Sequence, residues 1–207
     1  TEDLIDKIRP GQWSPASNQQ DKDSLNVLAA KGYNMAFNRL KESLKLLHQT
    51  KGQNIQLARA IRLGITQWYS ALFQPQVDAG MLSATFIAGY RKGPIYIRGS
   101  KHVPPASEQL MDCMDVLFQL CESEENPLVK AVLAHLCLGF IHPFSDGNGR
   151  SARFLMNFLL ISHGHSWTVI RLENRDQYLK SLEAASVGKN IKPFARFILE
   201  SMAEGTD

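Results

Sequence analysis

From His142 to Arg153 the chain reads His-Pro-Phe-Ser-Asp-Gly-Asn-Gly-Arg-Ser-Ala-Arg. Twelve residues thus hold an imidazole, a carboxylate, two glycines, a carboxamide and two guanidiniums, between apolar runs at 128–141 and 154–161. Such a cluster between two apolar segments reads as a site at a helix–loop–helix junction. Gly147 and Gly149 let the main chain approach a ligand closely, and their N–H groups at a helix start can form a nest for an anion. Arg150 and Arg153 lie three apart and share one face of the first turn, where two forked cations suit polyphosphate. The helix dipole repels arginine at that position, a local conflict of the kind functional sites show. Asp146 is a hard oxygen ligand that could hold Mg²⁺ bridging phosphates. His142 can stay neutral near pH 7 and accept a proton from a hydroxyl. The parts add up to transfer of a phosphorus group to an acceptor hydroxyl. A bare Asp-Gly-Asn-Gly would be only a turn, but a turn requires neither the histidine nor the arginines.

The elements that must position this cluster are mostly helical. Apolar spacing predicts helices over 22–47, 57–72, 107–121, 128–141, 150–162, 175–186 and 192–202, with Gly32 a candidate break in the first. The 128–141 run is apolar nearly all round and is expected to be the central buried helix. Between 90 and 99 apolar and polar residues alternate, with Gly93-Pro94 as a turn signal and Gly99 as a second break, which predicts a short β-hairpin. Its open edge could pair with an extended segment of another protein. Residues 1–20, with Pro10, Gly11 and Pro15, read as an arm, and 21–207 as one helical domain.

Composition narrows the classes. With 207 residues, 44% of them hydrophobic, the chain can bury a sizeable core. A net charge of +3 with no basic block interleaved with aromatics argues against nucleic acid as a partner. No apolar run reaches the ~18 residues of a membrane span, and no secretory signal is visible. The chain begins at Thr1, so upstream sequence is expected. Cys113, Cys121 and Cys137 are odd in number and read as buried thiols, which points to a cytoplasmic protein. His135, His163 and His165 make no zinc pattern with His142, and no phosphate-loop or dinucleotide fingerprint occurs.

Residues 142–153 match position for position the H-P-F-x-D-G-N-G-R-x-x-R signature of the Fic-domain family. The resemblance extends from about Gln67 to Phe197. It includes Gly93-Pro-Ile-Tyr-Ile-Arg-Gly-Ser-Lys-His-Val-Pro-Pro105, similar to the family's flap, and Tyr178 through Phe197, similar to its helical tail. It implies a Fic fold, a bundle of about seven to nine helices around a central helix–loop–helix with a small β-hairpin flap. It implies a protein adenylyltransferase that moves AMP from ATP to a Ser, Thr or Tyr hydroxyl of a target protein and releases pyrophosphate. By position, His142 is then the general base and Asp146 the Mg²⁺ ligand. The backbone of Gly147, Asn148 and Gly149, with the Asn148 side chain, would hold phosphates, Arg150 the β/γ-phosphates and Arg153 the γ-phosphate. Phe144 would anchor the loop, and Tyr178, Leu182 and Ser186 would border the adenine. Gly93, Pro94, Ile95, Tyr96, Ile97, Arg98, Gly99, Ser100 and Lys101 form the flap on which the protein substrate would dock. The glycines Gly147 and Gly149 set the chain apart from the phosphate-transferring Doc-like branch.

Many members of this family carry an inhibitory helix whose glutamate pairs with the second motif arginine, here Arg153. Ser201-Met-Ala-Glu204-Gly205 is similar to that pattern but one residue short, which makes Glu204 the candidate self-inhibitor. A flanking helix outside this sequence, a separate antitoxin, or no inhibitor at all are the other arrangements left open, and so is a homodimer. Removal of AMP from a modified protein, other nucleotide donors, and a nucleotide-binding interaction module are the alternative functions.

Overall fold

The computed structural model describes residues 18–49 and 54–204. The expected arm lies outside them up to residue 17, and residues 18–20 already belong to the first helix. Seven α-helices are formed among the described residues: α1 (Asn18–Gln49), α2 (Asn54–Asp78), α3 (Leu110–Ser123), α4 (Pro127–Ile141), α5 (Asn148–Ser162), α6 (Arg175–Ser186) and α7 (Lys192–Ala203). None is long and apolar enough to cross a membrane.

α1 and α2 form an antiparallel pair. Gly32 on α1 lies against Leu72 on α2, and further along Ser43 accepts a hydrogen bond from Trp68 Nε1 at 3.3 Å. Gly32 does not break α1. A Cβ there would stand 2.0 Å from the Leu72 carbonyl oxygen, so the glycine serves close helix approach. α2 also outruns its expected end and passes through Pro75 to Asp78. Proline removes one helical N–H, yet this turn carries Phe73, which is buried beneath the loop before α5.

The pair α4–α5 is the centre of the molecule. Asn126 caps α4 by accepting from the N–H groups of Leu128 and Val129, and Pro127 occupies the first helical position. α5, rather than α4, is the more deeply buried: ten of its fifteen residues are inaccessible, against seven in α4. The apolar surplus of α4 goes elsewhere, because Leu136, Gly139 and Phe140 line a cavity. Phe154, Phe158, Trp68, Tyr69, Phe144 and Phe194 fill the middle, each worth roughly 1.5–3 kcal/mol when fully buried.

The expected β-hairpin is not formed, and no strand occurs among the described residues. Residues 94–97 take no regular structure, with Ile95 and Ile97 half-buried and Tyr96 exposed, and nothing pairs with them as a strand. One turn bond, Ser100 N–H to Ile97 O at 3.1 Å, reverses the chain. The returning stretch then meets Pro104 and Pro105, which have no N–H to give to a ladder. Side chains hold it instead. Glu183 on α6 accepts from Ser100 Oγ at 2.5 Å and from the Lys101 N–H at 2.8 Å.

Candidate active site

The loop between α4 and α5 is built by three local devices. First, α4 stops at His142, which takes the left-handed conformation (φ 50°, ψ 56°) while its N–H still bonds Leu138 O at 2.9 Å. This backbone costs a non-glycine residue about 1–2 kcal/mol, and proline follows. Second, Phe144 anchors the loop, fully buried and stacked on Tyr69 with ring centres 3.8 Å apart and planes 8° from parallel. Third, Asn148 closes the loop on itself. Its Oδ1 accepts from the Phe144 N–H at 2.9 Å, and its Nδ2 donates to the Phe144 carbonyl at 2.8 Å.

That third device corrects an expectation. The Asn148 carboxamide is 1% exposed and spent on Phe144, so it is not available to phosphates. The backbone is. Gly147 stands at the start of α5 with φ 74° and no side chain capping the helix, which leaves the first N–H groups of α5 without a protein acceptor. A Cβ at Gly147 would lie 2.7 Å from the Phe73 ring, so glycine is demanded by both torsion and space.

His142 has the chemistry of a neutral base. Its Nδ1 lies 3.1 Å from Gly139 O, and because a carbonyl only accepts, Nδ1 carries the proton and Nε2 keeps the lone pair. Burial lowers its pKa, and the nearby Arg91 and His102 charges push the same way. His142 therefore stays unprotonated at neutral pH.

One cavity of about 630 Å³ gathers much of the candidate set. His142, Gly149, Arg153, Tyr178 and Ser186 line it, together with Ile97, Arg98, Gly99 and Ser100 of the flap segment. Leu182 lies in the same wall. The Tyr178 hydroxyl is 3.1 Å from His135 Nε2, and its phenol is raised by burial, an effect partly offset by the Arg153 guanidinium beside it. Ser186 Oγ donates to Leu182 O at 2.9 Å.

Asp146 and Arg150 are on the outer side of the same helix start and do not border this cavity. Asp146 accepts from the Gly147 N–H at 2.5 Å, and its other oxygen faces Arg150 at 3.6 Å. Arg150 stacks over Phe73 at 4.7 Å. Its pKa is lowered first by burial, with Arg153 adding in the same direction, so the two guanidiniums feel one another. The exposed Asp146 carboxylate suits Mg²⁺, which is commonly held by one or two carboxylates plus phosphates and water. No cluster of three or more metal-binding side chains occurs among the described residues.

Of the flap residues, Gly93, Pro94, Ile95, Tyr96 and Lys101 stay outside the cavity lining. Glu204 is not brought to Arg153. It ends α7 with its carboxylate 3.5 Å from Asn174 Nδ2 and its carbonyl accepting from Arg171 at 3.2 Å.

Two groups escaped sequence reasoning. Arg91, 7% exposed, donates from Nε to the His142 carbonyl at 2.8 Å. Nothing in the alternating stretch singles it out. His135, 1% exposed, is part of the cavity lining and has its pKa pushed down to about 3 by burial, with Arg153 adding to the effect. Its place on the inner face of an all-apolar helix was the available signal.

Comparison with known proteins bears on this arrangement. A sequence model of the Fic/DOC family matches residues 62–160. A Nematostella vectensis protein named protein adenylyltransferase Fic is 40% identical over 113 residues, 53% of this chain and 26% of that protein. The chain thus spans about a quarter of the length of the curated relative it matches. The solved Fic-1 of C. elegans superposes with a TM-score of 0.69 at 23% identity, covering 94% of this chain and 52% of that one. The BepC effector of Bartonella tribocorum, solved with bound AMPPNP, superposes with a TM-score of 0.58 at 14% identity over 92% of this chain and 93% of that one. At these identities the structural matches speak to the fold.

Proposed function

We infer that the chain belongs to the Fic/DOC family, whose model matches residues 62–160, and that it is a protein adenylyltransferase, the name its relative carries. It moves AMP from ATP to a Ser, Thr or Tyr hydroxyl of a target protein. The observation that carries this reading is the single cavity in which a neutral imidazole meets the open start of α5 and Arg153. A base with an available lone pair, an anion nest and a forked cation are what attack by a hydroxyl on a phosphate requires. The curated relative's name and the ATP analogue in the Bartonella structure support the donor.

In this mechanism the triphosphate lies along the first N–H groups of α5, with Arg153 in the cavity lining and Arg150 outside it, over the Phe73 ring. The base is received toward Tyr178, Leu182 and Ser186. His142 Nε2 takes the proton of the acceptor hydroxyl, whose oxygen attacks the α-phosphorus. The bond from that phosphorus to the bridging oxygen breaks, and pyrophosphate leaves. Mg²⁺, held by Asp146 and phosphate oxygens, would neutralise charge on the leaving group. The target docks along residues 93–101, where the 94–97 stretch, unpaired as a strand, offers its main chain and the 79% exposed Tyr96 ring.

Incubation with α-labelled ATP, Mg²⁺ and cell extract is expected to label protein, and γ-labelled ATP is not. His142→Ala should abolish labelling while binding of ATP persists, because the base acts only in the chemical step. Label from the γ-position, or full labelling by the variant, would refute the assignment.

A further inference from the structure

We propose that Arg91 is a positioning residue for the base, acting through the backbone of His142 and coupling it to the segment that seats the acceptor. The inference rests on the adenylyl-transfer reading above. Arg91 makes four hydrogen bonds, all to main-chain carbonyls. Its N–H donates to Pro143 O at 2.8 Å and its Nε to His142 O at 2.8 Å. Its Nη1 reaches Gly93 O at 2.7 Å and its Nη2 reaches Pro105 O at 2.5 Å. The side chain thereby grips the carbonyl of the base and both ends of the flap segment, while the Arg91 backbone N–H holds the next carbonyl, Pro143 O.

The grip falls where the chain needs it. His142 is left-handed and precedes a proline, so its peptide plane is held against local preference. Turning that plane would swing the Cα–Cβ bond and break the Nδ1 contact to Gly139 O that fixes which nitrogen is bare. A guanidinium suits the task because its planar fork spans several acceptors at fixed angles, which an ammonium cannot do. Burial makes the charge expensive, lowering the Arg91 pKa. Keeping a cation there requires a return, and its partners are the base and the acceptor platform. The charged and titratable groups facing His142 are Arg91, His102 and Asp146.

The test compares Arg91→Lys and Arg91→Met in ¹⁵N-labelled protein by two readouts. The first is transfer of label from α-labelled ATP. Both variants are expected to lose about 10–100-fold in kcat, the scale of a misplaced catalytic group, with KM for ATP changed less than about twofold. The second is the NMR signal of the His142 ring, which needs no turnover. Both variants should lose the uniform Nδ1–H tautomer, and the ring's titration midpoint should rise in Arg91→Met, which removes the cation, but not in Arg91→Lys. A wild-type ring signal in either folded variant would overturn the proposal, as would a kcat loss restored by a stabilising osmolyte. If Arg91→Met does not fold, Arg91→Lys alone decides through tautomer and kcat. If the wild-type protein transfers no label from α-labelled ATP, the adenylyl-transfer reading falls, while the ring signal still decides whether Arg91 positions His142.

Discussion

Replacing Asn148 with alanine separates two roles that the motif alone does not distinguish. Its carboxamide makes two buried hydrogen bonds, to the N–H and to the carbonyl of Phe144. Phe144 is itself fully buried, so water cannot replace the lost partners. An unpaired buried group costs about 1–3 kcal/mol, and two of them should cost about 2–6 kcal/mol together. For a chain of this length each kcal/mol moves Tm by about 2–4 °C, so Asn148→Ala should melt about 4–24 °C lower. Asn148→Asp keeps an acceptor for the Phe144 N–H but sets an oxygen against the Phe144 carbonyl, and it should be destabilised as well. Calorimetry or circular dichroism measures Tm, and titration with ATP measures the nucleotide. If the carboxamide held phosphate instead, ATP binding would weaken with Tm unmoved. That result would refute the assignment of Asn148 as the brace of the loop.

Two further perturbations follow from the same geometry. The folded His135 ring takes up a proton only near pH 3, whereas the unfolded chain does so near 6.5. The unfolded state therefore binds more protons in that window, so the contribution of neutral His135 is complete above about pH 6.5 and declines as pH falls toward 3. At pH 5 the loss is about 2 kcal/mol, and His135→Leu should remove that much of the pH dependence in urea unfolding at pH 5 and 7. Equal slopes for variant and wild type would contradict it. Gly147→Ala must hold φ 74° and meet the Phe73 ring at 2.7 Å. The left-handed residue costs about 1–2 kcal/mol and the overlap about 1–3 kcal/mol. Tm should drop and transfer should collapse, and an unchanged melt with full transfer would show that the loop does not need this turn.

The helices were largely legible because their signal is periodic and repeated. Residues 175–186 were expected as a helix and form α6 with those bounds, and 128–141 and 192–202 each lack one residue of α4 and α7. Single residues misled where tertiary contact outweighed local preference. Gly32 reads as a breaker, but it is the point at which α1 meets the Leu72 carbonyl. The apolar spacing ends at 72, yet α2 continues through Pro75, with Phe73 held under Gly147 and Arg150. The alternating stretch 90–99 has strand character without a partner, and period alone cannot show that the returning chain would be Pro104-Pro105 held by side chains. At the site, residue types pointed to the loop, while Arg91 was silent: its work is set by carbonyls at Gly93, Pro105 and His142, two of them far away in sequence.

The same physics explains how α5 carries two arginines where its dipole resists them. Arg150 is accommodated by Asp146 at 3.6 Å and by the Phe73 face, neither of which neutralises it within a dry site. Arg153 raises the tension, since its charge lowers the Arg150 pKa and also disfavours protonation of His135 in the cavity wall. The Arg153 charge is felt by two phenols and a neutral imidazole, Tyr33, Tyr178 and His135, which solvate a cation but do not cancel it. Meanwhile the first N–H groups of α5 have no cap. The folded protein thus keeps a positive helix end, two guanidiniums and open donors together, a combination that each element alone would avoid. A polyphosphate relieves all three at once, because it accepts from the N–H groups, pairs with the forks and opposes the dipole. Two buried asparagines of α5 make that frustration durable. Asn148 pins Phe144, and nine residues on Asn157 pins Thr168 through bonds of 2.7 and 3.0 Å, so the helix cannot slide or unwind to separate its charges.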